Sequence, residues 1–412
     1  MKKSVSSIIM LCVIAVFALS VSPLVAASAK NDVAAEAASD PKDASDRTPK
    51  IDSATAKSAY MIDFGTGTVL YERDPDKRMP IASMVKIMTL LLTFENIESG
   101  RMSFDQKIVI SENASGMGGS QMFLDTGLEY PLSDLIKGVV VCSANDASVA
   151  IAETISGSVE EFITLMNERA RSLGMENTCF VNVTGLPQDG QYCTARDVTT
   201  MMRELLKHKD YYRFSGIYME NYTHPDGRVT ELVNTNKLVR FYKGCDAGKT
   251  GFTNEAMFCL SASALRNGMR VVATVIGAEN SKARFAEVSS LFNYAFANYS
   301  EDRLVCKDEP IANNIEIRRG KSERIAVAAD RDVYVLRKKG DNKEYSVRLD
   351  LNDKLKAPVA KGSVIGKLTV TDQNGAIVGT ANIVALENIE SAGYGDSLKK
   401  VLLDWYAAKR KK

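Results

Sequence analysis

The sequence predicts an α+β protein: an antiparallel sheet flanked by helices, with a helical subdomain, followed by a small all-β sandwich domain and a C-terminal amphipathic helix. Three observations carry this. Strand patterns stand at both ends of residues 54–303 with helical patterns between them. Residues from about 311 to 388 alternate apolar and polar positions, and the tail after Gly395 has helical spacing.

Taken in order, Lys2 and Lys3 precede an apolar run from Ile8 to Val21, and Ala27-Ser28-Ala29 offers a small-residue cleavage site, so residues 1–29 read as an export signal. A retained N-terminal anchor is the other reading. Residues 30–53, rich in Ala, Asp, Ser and Lys without apolar periodicity, read as a flexible linker. Tyr60–Asp63 and Thr68–Tyr71 flank Gly65-Thr66-Gly67, a hairpin signature. Ser83 then opens a helix through Val85, Ile87, Met88 and Leu90–Leu92. From Leu132 to Met202 the pattern is mainly helical. Strands return at Met257–Leu265 and Met269–Ile276, followed by a helix from Lys282 to Tyr299. The first and last strands should meet in one sheet. Within residues 304–390, Asp332–Arg337 and Tyr345–Leu349 alternate, and Asn374-Gly375 marks a hairpin turn. This β domain reads as a stalk or an interaction module. In residues 391–412, Leu398, Val401, Leu402, Trp405 and Tyr406 share one helix face among basic residues, which suits an anionic membrane surface or docking on the protein itself.

With 412 residues and 45% hydrophobic content the chain can bury large cores, and a net charge of +1 without a basic stripe argues against nucleic acid as a partner. Six cysteines follow the export signal, scattered and without CxxC spacing, so no metal site is expected; disulfides are possible in an exported chain, and mostly buried free thiols are expected. Only two histidines, His208 and His224, are present. A Ser-His-Asp triad is therefore hard to build.

Chemistry concentrates in Ser83-Met84-Val85-Lys86, Ser143-Ala144-Asn145 and Lys249-Thr250-Gly251. Residues three apart share a helix face, so the Lys86 amine can reach the Ser83 hydroxyl and act as its base once burial and cationic neighbours make it neutral. Otherwise Ser83 is an N-cap and Lys86 a solvated helix lysine. Ser111-Glu112-Asn113 and Ser397/Lys400 repeat the spacings elsewhere.

Residues 54–303 resemble the catalytic domain of low-molecular-mass penicillin-binding proteins, the D-alanyl-D-alanine carboxypeptidases of the type-5 group. The likeness extends to Gly118–Leu124, Leu173–Thr178, Thr184-Gly185-Leu186 and Thr194-Ala195-Arg196-Asp197, and it excludes Ser111 as the second-motif serine. It implies a β-lactamase/transpeptidase-like fold and no cofactor. The expected reaction removes the terminal D-alanine of peptidoglycan pentapeptides through a Ser83 acyl-enzyme, with β-lactams as covalent inhibitors. Lys86 would be the base. Ser143 would relay protons, Asn145 would bind the substrate amide, Lys249 would supply positive potential, Thr250 with Arg196 would hold the terminal carboxylate, and Gly251 would belong to the substrate-binding strand. Arg284 matches a second arginine of the family, or is a surface helix residue. The backbone N–H groups of Ser83 and Phe252 would form the oxyanion hole, and Phe252 stands where the best-known branch has histidine. The residues after 304 are similar to the C-terminal sandwich and membrane-anchor helix of the same group, which places the protein on the outer face of the cytoplasmic membrane. A serine β-lactamase is the nearer rival, although no Glu-x-x-Leu-Asn segment lies between Ser143 and Lys249. A non-catalytic penicillin-binding sensor is the more distant one.

Overall fold

A computed structural model describes residues 54–352 and 355–409; the export signal and linker lie outside the described residues. The chain opens with the expected hairpin, β1 (Ser58–Asp63) and β2 (Val69–Arg73). A 3-10 turn, Ala82–Val85, runs into α1 (Lys86–Glu98). Then come β3 (Lys107–Val109), α2 (Glu112–Ser115), β4 (Glu129–Pro131), α3 (Leu132–Val141), α4 (Asn145–Ser156), α5 (Val159–Ser172), α6 (Ala195–Leu205) and α7 (Tyr212–Ser215). A hairpin of β5 (Met219–Thr223) and β6 (Val229–Val233) precedes α8 (Leu238–Phe241). The returning strands are β7 (Cys245–Thr253), β8 (Met257–Arg266) and β9 (Met269–Ala278), closed by α9 (Ser281–Asn298).

The main sheet has the order β2-β1-β9-β8-β7, so the first strands do meet the last, and every pairing is antiparallel. Its two faces are both buried. On β1, Tyr60 and Ile62 join the larger core with α1 and α6, while Ala59 and Met61 join a second core against α9. Period-two side-chain alternation feeds both cores, so strands covered on both sides read as continuous apolar runs. Glu287 of α9, fully buried, accepts the N–H groups of Thr55 and Ala56 and pairs with Arg73, tying the start of the domain to its last helix.

Two departures from expectation concern the region around α5 and α6. The helical stretch predicted over Leu132–Met202 stops at Ser172, and Leu173–Thr194 is irregular. Gly174 takes φ +73° after α5, and Gly185, Pro187 and Gly190 keep the backbone from resuming a helix. The β5–β6 hairpin went unpredicted because its half-exposed strands carry no sustained apolar alternation.

The C-terminal domain comprises β10 (Tyr299–Val305), β11 (Pro310–Glu316), β12 (Arg324–Ala329), β13 (Val333–Lys338), β14 (Tyr345–Leu351), β15 (Val364–Asp372) and β16 (Ile377–Ala385). A five-stranded sheet, β11-β12-β16-β15-β14, shares one core with the β10-β13 pair. Asn374-Gly375 turns β15 into β16, with Gly375 at φ +79°. Last comes α10 (Tyr394–Lys409), on which Leu398, Val401, Leu402 and Trp405 are exposed. Among the described residues no helix is long and apolar enough to cross a membrane.

Candidate active site

The Ser83 hydroxyl caps no helix. The residue lies inside the 3-10 turn, and the first residue of α1 is Lys86, with 0% exposure in the middle of the larger core. Both local alternatives, a capping serine and a solvated lysine, therefore fall away. Lys86 Nζ lies 3.0 Å from Ser83 Oγ and donates to the Thr184 carbonyl at 2.6 Å. Burial pushes the Lys86 amine well below its ordinary value, and the charge of Lys249 lowers it further. A neutral amine that spends one N–H on Thr184 keeps its lone pair for the Ser83 proton.

Two glycine-bearing segments press on the backbone of the Ser83 turn. A Cβ on Gly185 would stand 2.0 Å from the Ala82 oxygen and 2.7 Å from the Ser83 nitrogen, and one on Gly251 would stand 2.4 Å from the Ile81 oxygen. Ala82 itself takes φ +47°. A left-handed alanine is disfavoured, and here it is held in place by neighbours that leave no room for relaxation.

The second motif turns the corner between α3 and α4. Ser143 adopts φ +65°, and its hydroxyl accepts from Lys249 Nζ at 2.7 Å, bringing together residues 106 apart in sequence. Lys249, in β7 and buried, also donates to the Thr250 carbonyl at 3.1 Å. Burial lowers Lys249 to about 7, with the Arg284 charge adding to the effect. Asn145 begins α4, where its Nδ2 donates to the Gly118 carbonyl at 2.6 Å and its Oδ1 is buried with no partner. That carboxamide oxygen is free to accept from a substrate N–H.

Asp146 was not singled out from the sequence. Its Oδ1 accepts from Met122 N at 3.2 Å and its Oδ2 from Leu124 N at 3.1 Å, so the carboxylate pins the Gly118–Asp125 loop beside Asn145. An acidic residue in the first turn of a helix was the available signal.

Arg284 is buried rather than on the surface. Its Nη1 donates to the Gly251 and Cys259 carbonyls at 3.2 and 3.3 Å, between the Phe258 and Phe285 rings, and its Nε is buried without a partner. Burial pulls its guanidinium down to about 10. Phe252, half-exposed, stacks on Phe258 with ring centroids 4.4 Å apart.

Arg196 requires a correction: it is not at the site. Its Nε and Nη2 bind the Asp76 carboxylate, and Nη1 donates to the Tyr60 hydroxyl at 2.8 Å above the Tyr60 ring. Tyr60 is on β1, and β9 and β8 separate that strand from β7. Three strand spacings amount to roughly 14 Å. Arg196 therefore cannot clamp a carboxylate beside Thr250, and its bidentate partner is a protein carboxylate. The sequence repeats are also accounted for: Ser111 caps α2 by accepting from Ala114 N and binds Glu153, while the Ser397 and Lys400 side chains lie outside the described residues. All six described cysteines are free thiols.

Lys249 and Arg284 are buried basic groups without an ion-pair partner among the described residues, an arrangement that favours an anionic ligand. Residues 44–280 match the family model described as D-alanyl-D-alanine carboxypeptidase. The chain belongs to that family. Residues 299–391 of this serine hydrolase match the C-terminal domain of penicillin-binding protein 5. It is 39% identical to the D-alanyl-D-alanine carboxypeptidase DacF of Bacillus subtilis, covering 85% of this chain and 90% of that one. It is 31% identical to DacA of Escherichia coli K12, covering 87% and 90%. Among solved structures, penicillin-binding protein 5 of Haemophilus influenzae matches with TM-score 0.65 at 30% identity, covering 82% of this carboxypeptidase and 98% of that chain. The membership places the chain among the type-5 low-molecular-mass penicillin-binding proteins, with a transpeptidase-like catalytic fold followed by an all-β domain.

Proposed function

We propose that Ser83 is the nucleophile and Lys86 its base in the removal of the terminal D-alanine from peptidoglycan stem peptides. The observation that carries this is a buried lysine with no ion-pair partner, its Nζ 3.0 Å from the serine oxygen. Ser83 Oγ attacks the carbonyl of the penultimate D-alanine while its proton passes to Lys86 Nζ. The N–H groups of Ser83 and Phe252 take the oxyanion. As the C–N bond breaks, the leaving nitrogen receives a proton through the Ser143 hydroxyl, which Lys249 orients. Asn145 Oδ1 accepts from the substrate amide. Lys249, Thr250 and Arg284 hold the terminal carboxylate, and Gly251 lets the substrate strand and the nucleophile approach. Water then hydrolyses the ester and restores Ser83. A β-lactam follows the same first half and stays as an acyl group on Ser83.

The test measures D-alanine release from a peptide ending in D-Ala-D-Ala alongside penicillin turnover. D-alanine release with a lasting penicilloyl adduct on Ser83 is the expected result. Rapid penicillin hydrolysis without D-alanine release would indicate a β-lactamase, and a stable adduct with no peptide turnover would indicate a sensor. An adduct mapped by mass spectrometry to any other residue ends the assignment of Ser83.

We also propose that α10 attaches the exported protein to the outer face of the cytoplasmic membrane. The exposed Leu398, Val401, Leu402 and Trp405 on a short helix with basic residues around them support attachment along the surface. Deleting residues 396–412 should move the protein from the membrane to the soluble fraction. Unchanged fractionation would leave the N-terminal segment as the anchor.

A further inference from the structure

A buried carboxyl and a part-buried one face each other where the catalytic domain meets the β domain. Asp63, fully buried at the end of β1, accepts the Thr66 N–H at 2.7 Å and the Thr66 hydroxyl at 2.6 Å, both on Oδ2, within the turn leading to β2. Its carboxyl also lies within hydrogen-bonding reach of that of Glu301 on β10, the strand by which the chain enters the β domain. Asp63 Oδ1 and Glu301 Oε1 are buried, and no N–H or hydroxyl of another residue reaches either. Two carboxylates offer acceptors only, so the contact requires a proton between them. Gly65 makes room for it: a Cβ there would stand 1.8 Å from Glu301 Oε1 and 3.0 Å from the Tyr334 ring on β13.

One cationic side chain faces the pair, and its charge works against the rise of both carboxyls. Arg203 of α6 faces the pair, but it donates to the Phe64 and Gly65 carbonyls at 2.8 and 3.1 Å and so braces the turn from its other side. Arg270 of β9 is held by Asp246. Tyr334 donates to Asp332, which Arg303 also approaches, and Asp302 on β10 pairs with Arg337.

We propose that Asp63 and Glu301 form a proton-sharing latch that fastens the β1–β2 turn to β10 and the β domain, and that rising pH opens it. Burial, reinforced by the Asp63 charge, raises the Glu301 carboxyl to about 8, and burial raises Asp63 as well. The docked pair keeps a proton that the undocked pair releases. Docking is therefore strongest at low pH, weakens from the ordinary glutamate range of about 4.3 upward, and reaches its minimum above about 8.

Hydrogen exchange of the Phe64–Gly67 and Tyr299–Arg303 amides in the whole protein, corrected for intrinsic rates between about pH 5 and about pH 9, tests the latch. The wild-type protection factors should fall by up to about tenfold per pH unit below the titration of the pair. Glu301→Gln should flatten that slope, because a carboxamide N–H donates to Asp63 at every pH. Penicillin labelling of Ser83 in the same samples reports that the catalytic domain is folded. Asp63→Asn, which also supplies a donor, is read in the same way if Glu301→Gln does not label. A flat wild-type profile, or an unchanged slope in a labelled variant, overturns the proposal. Failure of both variants to fold does so too, since a proton-sharing pair is replaceable by a donor–acceptor pair.

Discussion

Lys86→Ala should lower the rate at which a penicillin acylates Ser83 by about 10²–10⁴-fold, the usual contribution of a positioned general base. The substitution also leaves a cavity beneath the 3-10 turn, so Lys86→Met, which keeps the stem without the amine, is the control for packing. Both variants should lose acylation alike while the methionine variant keeps most of its thermal stability. The pH profile gives the same base a second signature. Lys86 becomes competent as pH rises through its depressed value, whereas Lys249 loses the charge that orients Ser143 as pH passes about 7. Either Lys86 variant should therefore lack the limb that rises with pH in the wild type and keep only the loss that Lys249 causes as pH passes about 7. Undiminished labelling by Lys86→Met would remove the lysine from the mechanism.

Gly185→Ala should have the second-largest effect. Its backbone sits at φ +81°, where an L-residue costs about 1–2 kcal/mol. That cost alone would not touch catalysis. The added methyl, however, would press on the Ala82 oxygen, the Ala82 carbonyl carbon and the Ser83 nitrogen, at 2.0, 2.3 and 2.7 Å, and all three are backbone atoms. Relief requires the nucleophile's turn to move, and a displacement of about 1 Å at a reacting group costs on the order of 10²-fold in rate. Gly174→Ala separates the two effects, because Gly174 has φ +73° and nothing within 4 Å of its Cβ position. Both variants should lose a similar increment of thermal stability, and only Gly185→Ala should lose acylation. Equal acylation rates in the two variants would mean that the contact with Ser83 does not matter.

What was legible in the chain was local or periodic. The Ser83–Lys86 pair follows from i, i+3 geometry; of its two bland alternatives, the solvated lysine failed on burial and the capping serine on its place inside the 3-10 turn, neither of which spacing encodes. Thr194, part of a segment noted only for its family likeness, caps α6 by accepting from Asp197 N. The neighbouring Arg196 was assigned to the site by resemblance, yet its guanidinium binds Asp76, 120 residues away. Nothing within a window of one helix turn distinguishes that destination from a substrate carboxylate. Arg284 shows the converse. On a helix with buried and exposed faces its position alone allowed a surface role, and packing against β7 and β8 buried it beside the third motif. The β5–β6 hairpin was missed because its half-exposed strands carry no apolar alternation, and the irregular Leu173–Thr194 segment because it is held by a distant partner rather than by its own pattern. Met79 bridges to Cys193.

The sequence by itself determined the α+β class, the β domain that follows the catalytic one, the order of the three motifs and the serine-hydrolase class. Each of these rests on short-range periodicity or on side-chain type. Only the tertiary structure decided that Lys249 reaches Ser143, that Arg284 rather than Arg196 stands by the third motif, and that Asp63 and Glu301 share a buried contact. The physical reason is the same throughout. Which side chains meet, and which of them lose their water, is settled when distant elements pack, and burial then shifts the lysines and carboxyls away from the values their residue types would suggest.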